Sequence, residues 1–280
     1  MKAIQSIMKK MIVVDLDGTL LHDEFSMNPL SKQALLDAKE AGHAVVIATG
    51  RPLRESIHFY RELGLDTPII NTNGSQLHHP DDSNFEEWVE HMSVQKMVEI
   101  FNSPIGQYLL NGVCEFKDHL YIGKADPEFT AWMNLEGAHS VAYSPWEEAE
   151  HPGFCRFILK IEPGKAAEVE AYLKENFPDE FSYYQWQMGE QLVFEIGKGG
   201  ISKATAIARL ADKLGFSVAD IIVFGDGTND VEMLAYAGVG VAMGNACDEL
   251  KAVADAVTLG HQEGGIAHYL YEHVLKGQRL

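Results

Sequence analysis

Short runs of consecutive apolar residues alternate with helix-spaced stripes at both ends of this chain, and the alternation breaks in the middle. Met11–Val14 is apolar throughout and stops at Asp15. A run without polar alternation reads as a strand buried on both faces. Residues 31–41 follow with Ala34, Leu35, Ala38 and Ala41 on one helical face, and Gly42 stands where such a helix stops. Residues 44–48 form a second apolar run ending at Thr49-Gly50-Arg51-Pro52, and Pro52 suits the first turn of a helix reaching to about residue 63. Ile69 and Ile70 lead a third strand into Asn71-Thr72-Asn73-Gly74. Strand, helix, strand, helix, strand with short connections is the pattern of a parallel sheet layered between helices.

The polar cluster His79-Pro80-Asp81-Asp82-Ser83-Asn84 interrupts this rhythm. Beyond it the strands alternate. Residues 157–161 are apolar at odd positions, and in residues 191–196 Leu192, Phe194 and Ile196 share a face. Such alternation predicts a sheet covered on one side, here by helices at about 94–102, 127–133 and 165–177. The first rhythm then resumes. Lys203–Leu214 carries Ala204, Ile207, Ala208, Ala211 and Leu214 on one stripe. Residues 221–224 are a continuous apolar strand running into Gly225-Asp226-Gly227-Thr228-Asn229-Asp230. A short helix, a strand Val239–Ala242, a helix near 248–254 and a terminal helix over 266–274 complete the chain. The expectation is an α/β domain made from residues 1–79 and 192–280, split by an α+β domain over 80–191. A length of 280 residues, at about 150 per domain, agrees with two.

Charge narrows the function. Lys and Arg number 22 against 41 Asp and Glu, a net charge of −19. Nucleic acid and anionic membrane both call for a basic footprint, so neither is expected as a partner. A small anionic substrate would need a local island of positive charge. No run approaches the roughly 18 apolar residues of a membrane span. The segment 3–8, flanked by Lys2, Lys9 and Lys10, lacks the apolar stretch and cleavage site of a signal peptide, and residues 1–10 read as an upstream extension with no assigned role. Cys114, Cys155 and Cys247 are too few and scattered for a disulfide framework, and they read as reduced thiols of a cytoplasmic protein.

Four groups of residues fall at strand or loop ends, where ligands bind in such sheets. In Asp15-Leu16-Asp17-Gly18-Thr19-Leu20, an acid at the end of a buried strand is costly unless something coordinates it. On an extended backbone Asp15 and Asp17 point the same way, and two close carboxylates call for a cation or a shared proton. A plain Asp-Gly turn is the other reading. Thr49-Gly50-Arg51 offers a hydroxyl and an amide to an oxyanion, or simply a helix cap. Gly199-Gly200-Ile201-Ser202-Lys203 puts a cation in a first helical turn, where the helix dipole disfavours it; Lys203 faces an anion there, or else solvent. Gly225-Asp226-Gly227-Thr228-Asn229-Asp230 could complete an oxygen-only cation site with Asp15 and Asp17, or be an ordinary acidic helix start.

Taken in order, these residues resemble the haloacid dehalogenase-like (HAD) superfamily, and within it the Cof-type, sugar-phosphatase-like branch. The resemblance rests on Asp15-Leu16-Asp17-Gly18-Thr19-Leu20-Leu21, Ala48-Thr49-Gly50-Arg51-Pro52, Asn73-Gly74, Ile201-Ser202-Lys203, Gly225-Asp226-Gly227-Thr228-Asn229-Asp230 and the stretch from Ala237 to Ala246. One departure is Ala204, where relatives often have Gly. The resemblance implies a Rossmann-like three-layer core with a parallel sheet and an inserted α+β cap. It implies Asp15 as nucleophile, forming an aspartyl-phosphate, and Asp17 as general acid and then base. It implies Mg²⁺ on Asp15, the backbone carbonyl of Asp17 and Asp226, supported by Asp230. Leu16 through its amide, Thr49, Gly50, Lys203 and Asn229 would hold the phosphoryl oxygens. Mg²⁺ and Lys203 would then be the positive island of an acidic protein. The implied function is hydrolysis of a small phosphorylated metabolite. A phosphomutase of the phosphomannomutase type and a catalytically idle binding or regulatory module are the alternatives.

The remaining conspicuous residues carry less. The twelve histidines, His78-His79 included, show no His-Glu-x-x-His zinc pattern. Tyr183-Tyr184-Gln185-Trp186 reads as strand-forming core or surface, with a substrate pocket as the other possibility. Asn73-Gly74 either faces the site or is a hinge turn.

Overall fold

The structure is a computed structural model and describes residues 9–131, 133–143, 153–188 and 191–275. Most of the N-terminal extension read from the sequence, residues 1–8, lies outside the described residues. In chain order come β1 (Met11–Val14), β2 (Leu21–Asp23), β3 (Ser26–Met27), α1 (Pro29–Glu40), β4 (Ala44–Ile47), α2 (Leu53–Glu62), β5 (Ile69–Asn71), β6 (Gln76–His78) and β7 (Trp88–Val89). Then follow α3 (Val94–Phe101), β8 (Leu109–Phe116), β9 (His119–Ile122), α4 (Pro127–Thr130), β10 (Ser140–Tyr143), β11 (Arg156–Ile161), α5 (Ala166–Asn176), β12 (Phe181–Met188) and β13 (Gln191–Lys198). Last come α6 (Lys203–Leu214), β14 (Ile221–Gly225), α7 (Val231–Tyr236), β15 (Val239–Ala242), α8 (Asp248–Val253), β16 (Ala256–Val257) and α9 (Gly265–His273).

A five-stranded parallel sheet in the order β16-β15-β14-β1-β4 forms the centre. Its apolar runs are buried on both faces. Ile12 and Val14 pack with Ala34, Leu35 and Ala38 of α1, Phe59 and Tyr60 of α2, and Leu270 of α9. Met11 and Val13 point the other way, onto Ile207 and Leu210 of α6, Met233 of α7 and Leu250 of α8. A fully buried Val, Leu or Ile is worth about 1.5–3 kcal/mol over an exposed one. Covering both faces is what holds a sheet whose strands β1 and β4 are only 4 residues long. The fold is α/β, as read from the sequence.

The second sheet is six-stranded, in the order β10-β9-β8-β11-β13-β12, antiparallel except between β9 and β10. Phe157, Leu159, Phe194 and Ile196 face α3 and α5, as the alternation implies. The expectation of a single covered side needs correcting. Val113, Ile158 and Val193 on the opposite face are buried with Phe129 and Met133. Glu115, Arg156 and Glu195 on that same face are buried too, by partners described below.

Three boundaries also differ from the sequence reading. Residues 192–198 belong to β13 and so pair in the six-stranded sheet, not in the parallel one. Phe85 and Trp88 pack against the α6 side of the parallel sheet, so residues 80–89 stay with the first layer system. The helix expected over 127–133 ends at Thr130. The third expected strand, β5, pairs antiparallel with β6 and meets the β4 edge through a parallel bridge between Ala48 and Ile70. The cause lies in the next residues. Thr72, Asn73 and Gly74 all have positive φ, of 52°, 50° and 99°, and turn the chain back on itself. Among the described residues no helix is long and apolar enough to cross a membrane. Cys114 and Cys155 are buried and free, and Cys247 is half-buried and free.

Candidate active site

The carboxyl ends of β1, β4 and β14 meet at one edge of the parallel sheet. Asp15 continues the β1 pairing by one residue, its N–H donating to the Phe224 carbonyl at 3.1 Å. Residues Leu16–Leu20 then form a single tight turn with non-helical Asp17 and Gly18 inside it. Gly18 has φ +69°, and a Cβ there would strike the Asp226 carboxylate. The missing side chain is what lets Asp226 close on the first strand end. Asp226 accepts from Thr19 Oγ1 at 2.9 Å and from Asn245 Nδ2 at 3.4 Å.

Lys203 stands where α6 begins, and its ammonium is fully buried. It donates to Asp15 Oδ1 at 2.7 Å and to Asp230 Oδ1 at 2.6 Å. So the lysine does face anions, and they belong to the protein. Asp230 also accepts from the backbone N–H groups of Asp226 and Gly227, at 3.0 and 3.1 Å. Burial disfavours the charged form of Lys203, but Asp15 and then Asp230 outweigh it and keep the ammonium charged. Asp15 is pushed well above the usual carboxylate range, first by burial and then by Asp230, Asp226 and Asp17, with Lys203 opposing. Asp226 is pushed up to about 6 by burial and by Asp230.

Asp15, Asp226 and Asp230 offer carboxylate oxygens within 4.8 Å of one another. Three carboxylates against one ammonium leave an excess of negative charge in a buried place. An all-oxygen set with that excess fits a hard divalent cation better than zinc. Asp226 supplies a test. Its raised value means the metal-free fold binds a proton more tightly than the unfolded chain does. Metal-free stability contributed by this group therefore falls as pH rises from about 4 to about 6. Adding Mg²⁺ should raise the thermal midpoint clearly at pH 8 and little at pH 5, where protons compete for the same oxygens. An equal rise at both values, or none at either, would contradict a carboxylate-held cation.

Leu16, Thr49 and Asn229, which the resemblance assigns to phosphate, follow the strands β1, β4 and β14. Thr49 is fully buried, and its Oγ1 accepts from the Arg51 N–H at 3.1 Å. Helix α2 begins only at Leu53, so Thr49 is not a helix cap, and that alternative falls away. Asn229 Nδ2 donates to Asn73 Oδ1 at 2.9 Å, which places Asn73 at the site as well. Leu16 is buried in the core beneath its own turn.

Asp17 departs from the expectation. Its carboxylate does not join Asp15 over a shared cation. It is paired with Arg51 through two bonds, Nε to Oδ2 at 2.8 Å and Nη2 to Oδ1 at 2.5 Å, and it is 57% exposed. Leu16, between the two acids, leaves the extended form that Asp15 and Asp17 keep, so the two-residue period that would align the carboxylates does not apply.

Some site residues carried little signal. Thr19 and Asn245, both on Asp226, lie inside motifs but had no assigned role. Arg51 likewise gave no hint that it would hold Asp17. Glu195 and Arg156 sit in strands far along the chain, and only the charge on an otherwise apolar strand marked them. The aromatic cluster splits by strand alternation: Tyr183 packs toward α3 and α5, Trp186 toward the opposite face, and Tyr184 sits across from Glu195. His78 bonds Asn71 at 2.9 Å and is structural.

The carboxyl edge of the parallel sheet thus holds a buried acid, a buried lysine and a cluster of three carboxylates. Residues 12–270 match the haloacid dehalogenase-like hydrolase family. The chain belongs to that family, in its Cof-type branch, and is a phosphatase of it. It is 30% identical over 263 residues to the 5-amino-6-(5-phospho-D-ribitylamino)uracil phosphatase YitU of Bacillus subtilis, covering 94% of this chain and 97% of that one. It is 30% identical over 287 residues to the pyridoxal phosphate phosphatase YbhA of Escherichia coli, covering 95% and 99%. A haloacid dehalogenase-like hydrolase from Bacteroides thetaiotaomicron shares the fold with a TM-score of 0.78 at 24% identity, covering 94% of this chain and 99% of its own.

Proposed function

We propose that this protein hydrolyses small phosphomonoesters with Mg²⁺, through an aspartyl-phosphate on Asp15. The observation that carries the reading is the position of Asp15: buried at a strand end, 2.7 Å from a buried ammonium, within one acid cluster. A carboxylate is a poor nucleophile and needs alignment, and Lys203 and the Phe224 carbonyl hold Asp15 in place. Asp15 attacks phosphorus while the bond to the leaving oxygen breaks, and that oxygen takes a proton from Asp17. The Asp17 carboxylate then takes a proton from water as the water oxygen attacks phosphorus, releasing inorganic phosphate and restoring Asp15. Arg51 would have to yield Asp17 for these transfers. Thr49, the Gly50 and Leu16 amides, Lys203 and Asn229 hold the phosphoryl oxygens. Asp15, the Asp17 carbonyl and Asp226 would hold Mg²⁺, with Asp230 behind them, and the ion would neutralise charge on the transferring group.

Two further points support a small substrate. The named relatives act on a phosphoribitylaminouracil and on pyridoxal phosphate, both small phosphorylated molecules. The six-stranded sheet, reached after Val89 and left at Lys198, is read as a cap whose buried face reaches the site. A covered site suits small molecules and excludes bulk water. The test is phosphate release from an aryl phosphate and a panel of sugar and cofactor phosphates, with Mg²⁺ and with excess chelator. Turnover that needs Mg²⁺ and ranks small metabolite phosphates first is expected. No turnover on any of them, or full turnover in chelator, would refute the reading.

A further inference from the structure

A buried chain of polar contacts joins the second sheet to the phosphate-side loop. Asn73 Nδ2 donates to Glu195 Oε1 of β13 at 2.9 Å, and Asn73 Oδ1 accepts from Asn229 Nδ2 at 2.9 Å. Glu195 Oε2 is held by Arg156 Nη1 of β11 at 3.2 Å, and the same nitrogen reaches the Gly50 carbonyl at 3.3 Å. Arg156 Nε donates to Glu115 Oε2 at 2.8 Å, and Arg54 of α2 closes on the other oxygen of Glu115. Glu195, Arg156, Glu115, Arg54 and Asn73 are all buried. Gly50 packs directly on the Asn73 carboxamide, since a Cβ there would lie 3.2 Å from Asn73 Oδ1.

The polarity of this chain is fixed from one end. An ionised carboxylate only accepts, so Glu195, paired with Arg156, must receive the Asn73 Nδ2 group. That leaves Asn73 Oδ1 turned toward the site, where it can only accept. Asn229 must then turn its own Nδ2 inward, giving one N–H to Asn73 and keeping the second for a ligand oxygen. We propose that Asn73 and Glu195 are positioning residues that orient the Asn229 carboxamide as a donor to the phosphoryl group. This inference rests on the proposed phosphatase reading. Asn73 holds a left-handed φ of 50°, which Asn and Asp tolerate better than bulkier residues, so an acid can be tried at this position.

Asn73→Asp keeps the shape and the acceptor toward Asn229 but sets a carboxylate against Glu195. Turnover of an aryl phosphate should fall about tenfold to a hundredfold, the scale of a misplaced contact, and competitive inhibition by inorganic phosphate should weaken with it. Adding Glu195→Gln supplies an N–H that the new carboxylate can accept, which removes the repulsion and seats that side chain against Asn229 as the amide was. The combined variant should recover to within about threefold of wild type, as coupled partners do in a double-mutant cycle. Asn73→Gly keeps the backbone conformation and deletes both bonds, so it should lose activity and gain nothing from Glu195→Gln. Wild-type turnover and phosphate inhibition in Asn73→Asp or in Asn73→Gly would overturn the proposal. So would a combined variant whose thermal midpoint returns to wild type while its turnover does not. A wild-type protein inactive on every phosphate would refute the phosphatase reading, and this inference with it; an active wild type with unaffected variants refutes the inference alone.

Discussion

Asp15→Asn should lower turnover by several orders of magnitude and leave the fold intact. A carboxamide has nearly the shape of the carboxylate but lacks the nucleophilic charge. Its effect on stability should be small or favourable, for a reason visible in the site. Asp15 is buried, and burial with three nearby acids pushes its carboxyl toward the neutral form. Asn resembles that neutral form, and Lys203 keeps Asp230 at 2.6 Å as its charged partner. Thermal unfolding at pH 7–8 without metal should therefore give a midpoint equal to or above that of the wild type, while phosphate release collapses. Near-normal turnover would sink the assignment, as would phosphate trapped on another residue.

Lys203→Met should damage both properties. Methionine fills much of the space but leaves Asp15 and Asp230 buried without a cation. Removing one partner of a buried ion pair costs about 3–5 kcal/mol, because the orphaned charge stays in place. Turnover should also fall, by about a hundredfold or more, since a buried donor to the transferring oxygens is gone. The stability deficit has a pH sign. Protons can neutralise the stranded Asp15 carboxylate, which burial and its acidic neighbours already push up, so the gap from wild type should be widest at pH 8 and narrow as pH falls toward 5. A midpoint matching the wild type at pH 8 would mean that Lys203 is not the charge that holds this cluster. The two substitutions thus change one buried charge cluster with opposite effects on stability.

Much of this molecule was legible before any coordinates. The apolar runs at Met11–Val14 and 221–224 name doubly buried strands, because only a strand covered on both faces can lack polar alternation. The acids and glycines after them name a site at the strand ends. Local rules failed where the backbone changed conformation. An extended period aligns Asp17 with Asp15, but Leu16 between them leaves the extended form, and the Asp17 carboxylate pairs with Arg51 instead. The β13 strand was cut at its first residue, because alternation alone does not say which sheet a strand joins.

What the residues determined by themselves is periodicity, turn chemistry and the identity of the reactive groups, since each depends on neighbours a few positions away. What only the tertiary structure decided is which charges share a burial site. Lys203 meets Asp15 across 188 residues, and Asn73 meets Glu195 across 122. No local spacing encodes such pairs. They are selected when packing removes water, because a buried charge or amide must then find its partner within the protein.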